Sequence, residues 1–121
     1  MTDRQAVELL LCRYVDALYE GSVEGLSNVL HADGIYAAAH GGELLRLSVP
    51  DYLAMVAARA RPTDPRETAI DAIDVVGGTM ASAKLRCRLF GRDYVDFLTL
   101  LKVDGRWWVM AKIFHYDERT D

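Results

Sequence analysis

The stretch that decides the fold is DFLTLLKVDGRWWVMAKIFH, residues 96–115. Two runs rich in apolar and aromatic residues flank the dipeptide Asp104-Gly105, which is typical of a two-residue β-hairpin turn. Similar runs separated by glycine turns lie upstream. The C-terminal half is therefore predicted to be an antiparallel meander of four strands, at about residues 69–76, 79–90, 93–103 and 106–116.

The N-terminal half has helical periodicity instead. Thr2 and Gln5 form a capping-box signature for a first helix that ends near Gly21. A second helix follows directly, residues 35–39 are predicted as a short strand, and a third helix covers about residues 49–61. The order αα-β-α-ββββ predicts an α+β domain in which three N-terminal helices pack on a curved, mainly antiparallel sheet.

Length, composition and charge limit the class of protein. The chain has 121 residues, 51% hydrophobic and 26% charged, which predicts one folded domain over residues 1–121 and excludes disorder. Its net charge of −4 argues against a nucleic-acid partner. No apolar run is long enough for a membrane span, so we expect a cytoplasmic protein without a membrane partner. Two cysteines and three histidines without typical ligand spacing predict no metal site and no cofactor.

Three segments carry a resemblance to a known family: RYVDALYEGSVEGLSNVLHADG at 13–34, GGELLRLSVPDYLAMV at 41–56, and the stretch at 96–115. They resemble the family called putative lumazine-binding, within the nuclear transport factor 2-like (NTF2-like, or SnoaL-like) superfamily. The resemblance implies the cone fold of that superfamily, which ketosteroid isomerase and polyketide cyclases share. It also implies a small-molecule ligand, whereas function has to be argued from the site itself.

The resemblance to ketosteroid isomerase implies a catalytic tyrosine and two acids. Tyr14 falls on the tyrosine, but Ala38 takes the place of the proton-transferring aspartate and Thr99 that of the acid in the oxyanion hole. An alanine methyl group cannot accept a proton. We therefore expect no shift of a steroid double bond by that route, and Tyr14 remains a candidate hydrogen-bond donor.

Asp96 is the most informative charge, because it lies in an otherwise apolar strand and must find a partner or face water. With a two-residue turn at Asp104-Gly105, Asp96 pairs with Ile113 and shares a sheet face with His115. A carboxylate beside a histidine is suited to acid–base chemistry near neutral pH. An ion pair at the sheet edge or at an interface is the alternative. The predicted catalytic residues are Asp96, His115 and Tyr14.

The same pairing places aromatic and cationic residues on the opposite face, which suits a flat heterocycle. The predicted ligand-binding residues on that face are Trp108, Met110, Lys112 and Phe114. His40, beside the flexible Gly41-Gly42, and Tyr52, on the third helix, complete the predicted site. A change of one residue in turn length would exchange the two faces, so the face that lines the cavity stays open.

Three functions fit these observations. The first is the binding of a small, flat, largely apolar ligand, and the second is a SnoaL-like isomerase, cyclase or hydratase. The third is an association module whose open sheet face binds a partner. Both sheet faces carry apolar residues, and three helices can cover only one, so we expect a homodimer through the other face.

Overall fold

Residues 1–119 are described by a computed structural model in which three helices cover one face of a six-stranded sheet. The helices are α1 (Asp3–Glu20), α2 (Val23–Ser27) and α3 (Val49–Ala58). The strands are β1 (Leu30–His40), β2 (Glu43–Ser48), β3 (Thr68–Val76), β4 (Met80–Leu89), β5 (Arg92–Val103) and β6 (Arg106–Glu118). The sheet order is β2-β1-β6-β5-β4-β3, and only β1 and β6 run parallel. This curved α+β cone confirms the predicted fold class.

The sequence did not predict β2. This strand pairs antiparallel with β1 across a turn at Gly41-Gly42, where both glycines adopt positive φ angles of 58° and 80°. The glycine pair therefore connects two strands, and the element order is αα-ββ-α-ββββ. β2 is an edge strand exposed at five of its six positions, so it lacks the alternating burial by which strands are recognised. α3 is shorter than predicted, because the backbone of Arg59 is already extended.

α1 begins and ends as its sequence predicts. The Thr2 hydroxyl accepts a hydrogen bond from the Gln5 amide, the Gln5 side chain accepts one from the Thr2 amide, and Gly21 ends the helix at φ 62°. The apolar stripe of α1 packs on what we call the inner face of the sheet, and the opposite face is the outer face. The buried members of this stripe include Val7, Leu11, Tyr14 and Leu18. Burial of each leucine contributes about 1.5–3 kcal/mol.

A β-bulge at Met110 decides which side chains of β6 enter the cone. From the turn as far as Leu100 and Val109, β5 and β6 pair as a two-residue hairpin requires. Beyond that point β6 contains one extra residue, and Asp96 pairs with Phe114. One extra residue turns all later side chains of the strand to the other face. The predicted pairing of Asp96 with Ile113 is therefore wrong.

Gly34 of β1 makes room for this bulge. A Cβ atom at this position would lie 2.7 Å from the carbonyl oxygen of Met110 and 3.1 Å from that of His31. Both neighbours are backbone atoms of the sheet, so neither can swing away as a side chain would. The absence of a side chain at Gly34 therefore allows β1 to approach β6 at the bulge.

Candidate functional site

The inner face holds two buried charged residues, Asp96 and Lys112. Asp96 is 0% exposed, and its Oδ2 accepts a hydrogen bond of 2.8 Å from the hydroxyl of Tyr14. The same oxygen lies 3.7 Å from Nζ of Lys112. Oδ1 has no hydrogen-bond partner among residues 1–119. We call Tyr14, Asp96 and Lys112 the buried cluster; its carboxylate retains one oxygen that can accept a proton or a hydrogen bond.

Aromatic rings surround the ammonium group of Lys112. Its Nζ lies 5.3–5.6 Å from four ring centroids, those of Tyr14, Tyr36, Tyr52 and Phe114. The negative faces of such rings attract a cation, which offsets part of the cost of burying it. Within the described residues, no acceptor takes a hydrogen bond from Nζ. The lysine therefore keeps donors available for an oxygen atom of a ligand.

The electrostatics of the buried cluster assign the protonation states. Burial, the largest single effect, lowers the pKa of Lys112, but the attraction of Asp96 together with that of Tyr52, Tyr36 and Cys87 outweighs burial and raises the pKa above its ordinary value. Burial, followed by the charge of Asp96, raises the pKa of Tyr14 well above its usual range and that of Cys87 to about 12. The amine, phenol and thiol are all protonated at neutral pH. Asp96 is therefore the group in this cluster that can serve as a base.

A small void of about 10 Å³ lies beside Lys112, which is room for about one water molecule. It is lined by Leu18, Tyr36, Tyr52, Arg59, Cys87, Leu89, Phe90, Tyr94 and Lys112. At its outer end the guanidinium carbon of Arg59 lies 4.7 Å from the ring centroid of Phe90. Larger depressions of about 510 and 320 Å³ contain neither Asp96 nor Lys112. A ligand that enters this void would contact Arg59, Phe90 and Lys112, which all line it.

The turn that carries Phe90 is strained. Phe90 and Gly91 adopt φ angles of 55° and 71°, as the type I′ hairpin turn requires, and positive φ is rare for a bulky residue. Such a conformation costs on the order of 1–3 kcal/mol. Asp64 accepts hydrogen bonds of 2.7 and 3.0 Å from the Phe90 and Gly91 amides. Burial raises the pKa of Asp64, but the hydrogen bonds from these two amides and from its own amide, together with the charge of Arg88, more than offset burial and lower the pKa.

A row of aromatic rings leads from the buried cluster to the rim of the cone. Tyr52 stacks on Tyr36 with centroids 4.4 Å apart, and Tyr36 lies 4.6 Å from Phe114. The row continues through Tyr94 and Tyr116 to His40, with centroid separations of 6.0, 5.4 and 5.2 Å. His40 is exposed at the outer end of this row. The predicted residues Tyr52 and Phe114 thus form inner walls, whereas His40 lies at the rim.

The structure brings together only some of the predicted site residues. Tyr14, Asp96, Lys112, Tyr52 and Phe114 meet inside the cone. Their predicted roles in binding and catalysis remain predictions.

His115, by contrast, is exposed and bonds to Asp117 at 3.1 Å, so the expected contact with Asp96 is wrong. The bulge at Met110 is the reason, because it directs His115 outward. Trp108 and Met110 lie on the outer face, with Trp108 against Arg106 and His31. The prediction that these two residues line the same face as Lys112 and Phe114 is wrong for the same reason.

The acid that contacts Tyr14 is Asp96. Thr99, which the resemblance places at the second acid, is exposed on the outer face, and Ala38 is buried without an acidic group. Sequence reasoning missed Tyr36, whose ring faces both Tyr52 and Lys112. Residues two apart in a strand share a sheet face, and the resemblance places Ala38 in the site. The position of Tyr36 two residues before Ala38 could therefore have indicated that Tyr36 also faces the site.

Residues 1–119 contain no group of three His, Cys, Asp or Glu side chains that could hold a metal ion. None of the helices in that range is both long enough and apolar enough to cross a membrane.

Comparisons with known proteins support the fold. An NTF-2 like protein of unknown function from Silicibacter pomeroyi is 26% identical and superposes with a TM-score of 0.85 over 97% of this chain and 100% of that one. An NTF2-like protein of unknown function from Shewanella baltica is 24% identical, with a TM-score of 0.86 over 94% and 93%. A relative named Aldolase FrzH, from Cladobotryum sp, is 29% identical over 107 residues, which cover 84% of this chain and 82% of the relative.

The family model described as Putative lumazine-binding matches residues 2–115, nearly the whole chain. The protein therefore belongs to the Putative lumazine-binding family of the NTF2-like superfamily.

Proposed function

We propose that this protein binds a small, flat carbonyl compound inside its cone and transfers a proton at the carbon next to the carbonyl. The family and the fold support a small-molecule-binding cone protein. One observation carries the catalytic part of the proposal: the fully buried carboxylate of Asp96 has an oxygen without a partner and lies beside a protonated ammonium group. A base and a cation placed together in a closed site suit the formation of an enolate.

Each member of the buried cluster has a role in this reaction. Asp96 removes the proton, the electrons of the broken C–H bond form a C=C bond, and the carbonyl π electrons move to oxygen. The Lys112 ammonium donates a hydrogen bond to that oxygen and stabilises its negative charge. Tyr14 holds Oδ2 of Asp96, so that Oδ1 is the oxygen that takes the proton. Return of the proton to another carbon completes an isomerisation. Alternatively, the enolate attacks a second carbonyl, and the resulting alkoxide takes the proton back from Asp96, which completes an aldol addition.

The name of the relative Aldolase FrzH supports this class of chemistry, because aldol addition also starts from an enolate or its equivalent. Addition of an amine to a carbonyl requires the neutral amine. The raised pKa of Lys112 keeps this amine protonated, so the proposed reaction does not pass through a bond between Lys112 and the substrate. The stacked rings of Tyr36 and Tyr52 offer flat walls to a flat ligand.

Exchange of α-protons for deuterium tests the proposal. Acetone, hydroxyacetone and cyclopentanone are incubated with the protein in D₂O, and loss of the α-proton signal is followed by NMR. We expect the wild type to accelerate exchange of at least one ketone, and Asp96→Asn to lower that acceleration by about 10²–10⁴-fold. Asp93→Asn is the matched control, because Asp93 is exposed on the same strand. Equal exchange in wild type and Asp96→Asn, with both variants folded by circular dichroism, would contradict the proposal.

We also propose that the protein forms a homodimer through the outer face of the sheet. Phe97, Leu101 and Ile113 are 57%, 42% and 44% exposed on that face, which no helix covers. We expect a dimer mass by light scattering at micromolar concentration, and a monomer for Phe97→Glu. Leu44→Glu, on the edge strand β2, replaces an even more exposed apolar residue, 76% exposed, and should leave the dimer intact. A monomeric wild type would rule out this assembly.

A further inference from the structure

We propose that the ligand is a short keto acid, whose carboxylate is bound by Arg59 at the outer end of the void and whose keto oxygen faces Lys112. This inference rests on the proposed function for the location of the site. It adds the charge of the ligand and a specificity-determining residue that acts outside the buried cluster.

The guanidinium group of Arg59 is available for a ligand. Arg59 is partly exposed at the end of α3, and its guanidinium lies against the ring of Phe90. Among residues 1–119, no carboxylate forms an ion pair with it. By contrast, Arg66 binds Asp16 at 2.7 Å. A planar guanidinium binds a carboxylate through two parallel hydrogen bonds, which makes a carboxylate the natural partner for Arg59.

Stacking on Phe90 does not prevent Arg59 from binding a carboxylate. Arg92 of the same protein stacks on Tyr116, with its guanidinium carbon 4.4 Å from the ring centroid. Its Nε is also 2.9 Å from the carboxylate of Glu118. The face of a guanidinium is used for stacking and its edge for hydrogen bonds, so the two contacts are compatible. Arg59 can therefore bind a ligand carboxylate while it still contacts Phe90.

The charges around the void favour an anion. Lys112 and Arg59 both line it, and the carboxylate of Asp96 balances only one of these two cations. The hydroxyl of Tyr36 is influenced by both cations. Burial raises its pKa to about 12, while the positive charges of Lys112 and Arg59 both lower it. One negative charge on the ligand would balance the second cation.

The size of the void and the position of the two cations limit the ligand further. Lys112 is buried whereas Arg59 is partly exposed, so the keto group lies inside and the carboxylate outside. The void holds only about 10 Å³, so a ligand must open it by moving the stacked side chains of Arg59 and Phe90 together, and the smallest keto acids require the least opening. A keto acid of three or four carbons satisfies both conditions.

Paired acids and amides of equal shape test this inference. Binding of pyruvate, pyruvamide, acetoacetate and acetoacetamide is measured by calorimetry and by shifts in the NMR spectrum of the protein. We expect the wild type to bind at least one acid about tenfold more tightly than its amide. Arg59→Gln should reduce that preference to less than about twofold and leave the amide affinity unchanged. Arg61→Gln is the matched control, because Arg61 is exposed nearby and does not line the void.

Three results would overturn the inference: equal affinity of the wild type for acid and amide, equal weakening of both by Arg59→Gln, or no binding of either acid up to about 10 mM. The outcome of the ketone-exchange assay is independent of the outcome of this binding test, because exchange depends on Asp96 and uses uncharged ketones. Arg59-dependent binding of an acid without Asp96-dependent exchange would therefore refute the proton transfer and retain the carboxylate site.

Discussion

Replacing Lys112 with methionine is expected to destabilise the fold by about 3–5 kcal/mol, because it leaves the fully buried carboxylate of Asp96 without its cation. Methionine occupies a similar volume, so lost packing contributes little. Unfolding in urea at neutral pH measures the change. The pKa of Lys112 is raised above its ordinary value of 10.5 in the folded state. The contribution of Lys112 to stability is therefore fully present below pH 10.5 and declines only as the pH rises above that value through the folded pKa.

The double variant Lys112→Met with Asp96→Asn separates charge from packing. It removes both charges together, and we expect it to recover most of the stability lost in the single variant. Lys84→Met, at an exposed position on β4, is the matched control and should change stability by less than about 0.5 kcal/mol. A cost below about 1 kcal/mol for Lys112→Met would show that water reaches the pair and that the cone is open.

Gly34→Ala is expected to cost about 3 kcal/mol, at the upper end of overpacking substitutions, because its Cβ would meet two backbone carbonyl groups. Relief requires β1 to move away from β6 at the bulge, which also displaces Lys112. We therefore expect slower ketone exchange together with the lower urea midpoint. Gly42→Ala is the comparison: no atom lies within 4 Å of its Cβ, so only its positive φ contributes, at about 1–2 kcal/mol. A cost below about 1 kcal/mol for Gly34→Ala would mean that β1 adapts easily.

Most of the fold could be predicted because its signals are local. The capping box at Thr2 and Gln5 and the turn at Asp104-Gly105 each depend on a few adjacent residues, and the structure has both. β2 could not be recognised in this way. Its side chains are mostly exposed, so its strand conformation depends on pairing with β1 rather than on its own hydrophobic pattern.

The candidate site was predicted only in part, because one extra residue in β6 directs all later side chains of that strand to the opposite face of the sheet. Asp96 and Tyr14 were found from chemistry and from the resemblance, but the bulge at Met110 has no signature in the sequence of β6. It depends on the close approach of β1 at Gly34, which lies far away in the chain. In the structure, Lys112 therefore lies beside Asp96 inside the cone, and His115 points outward.

The parallel pairing of β1 with β6 has a consequence for synthesis of the protein on the ribosome. β1 emerges early, but apart from its short hairpin with β2 it has no neighbour until the last strand has been made. An isolated two-stranded hairpin is marginally stable at best. The apolar stripe of α1, which includes Leu11 and Leu18, also lacks a sheet to cover it during that time. The nascent chain is therefore exposed to aggregation until β6 is released, and the cone closes as a late, cooperative step.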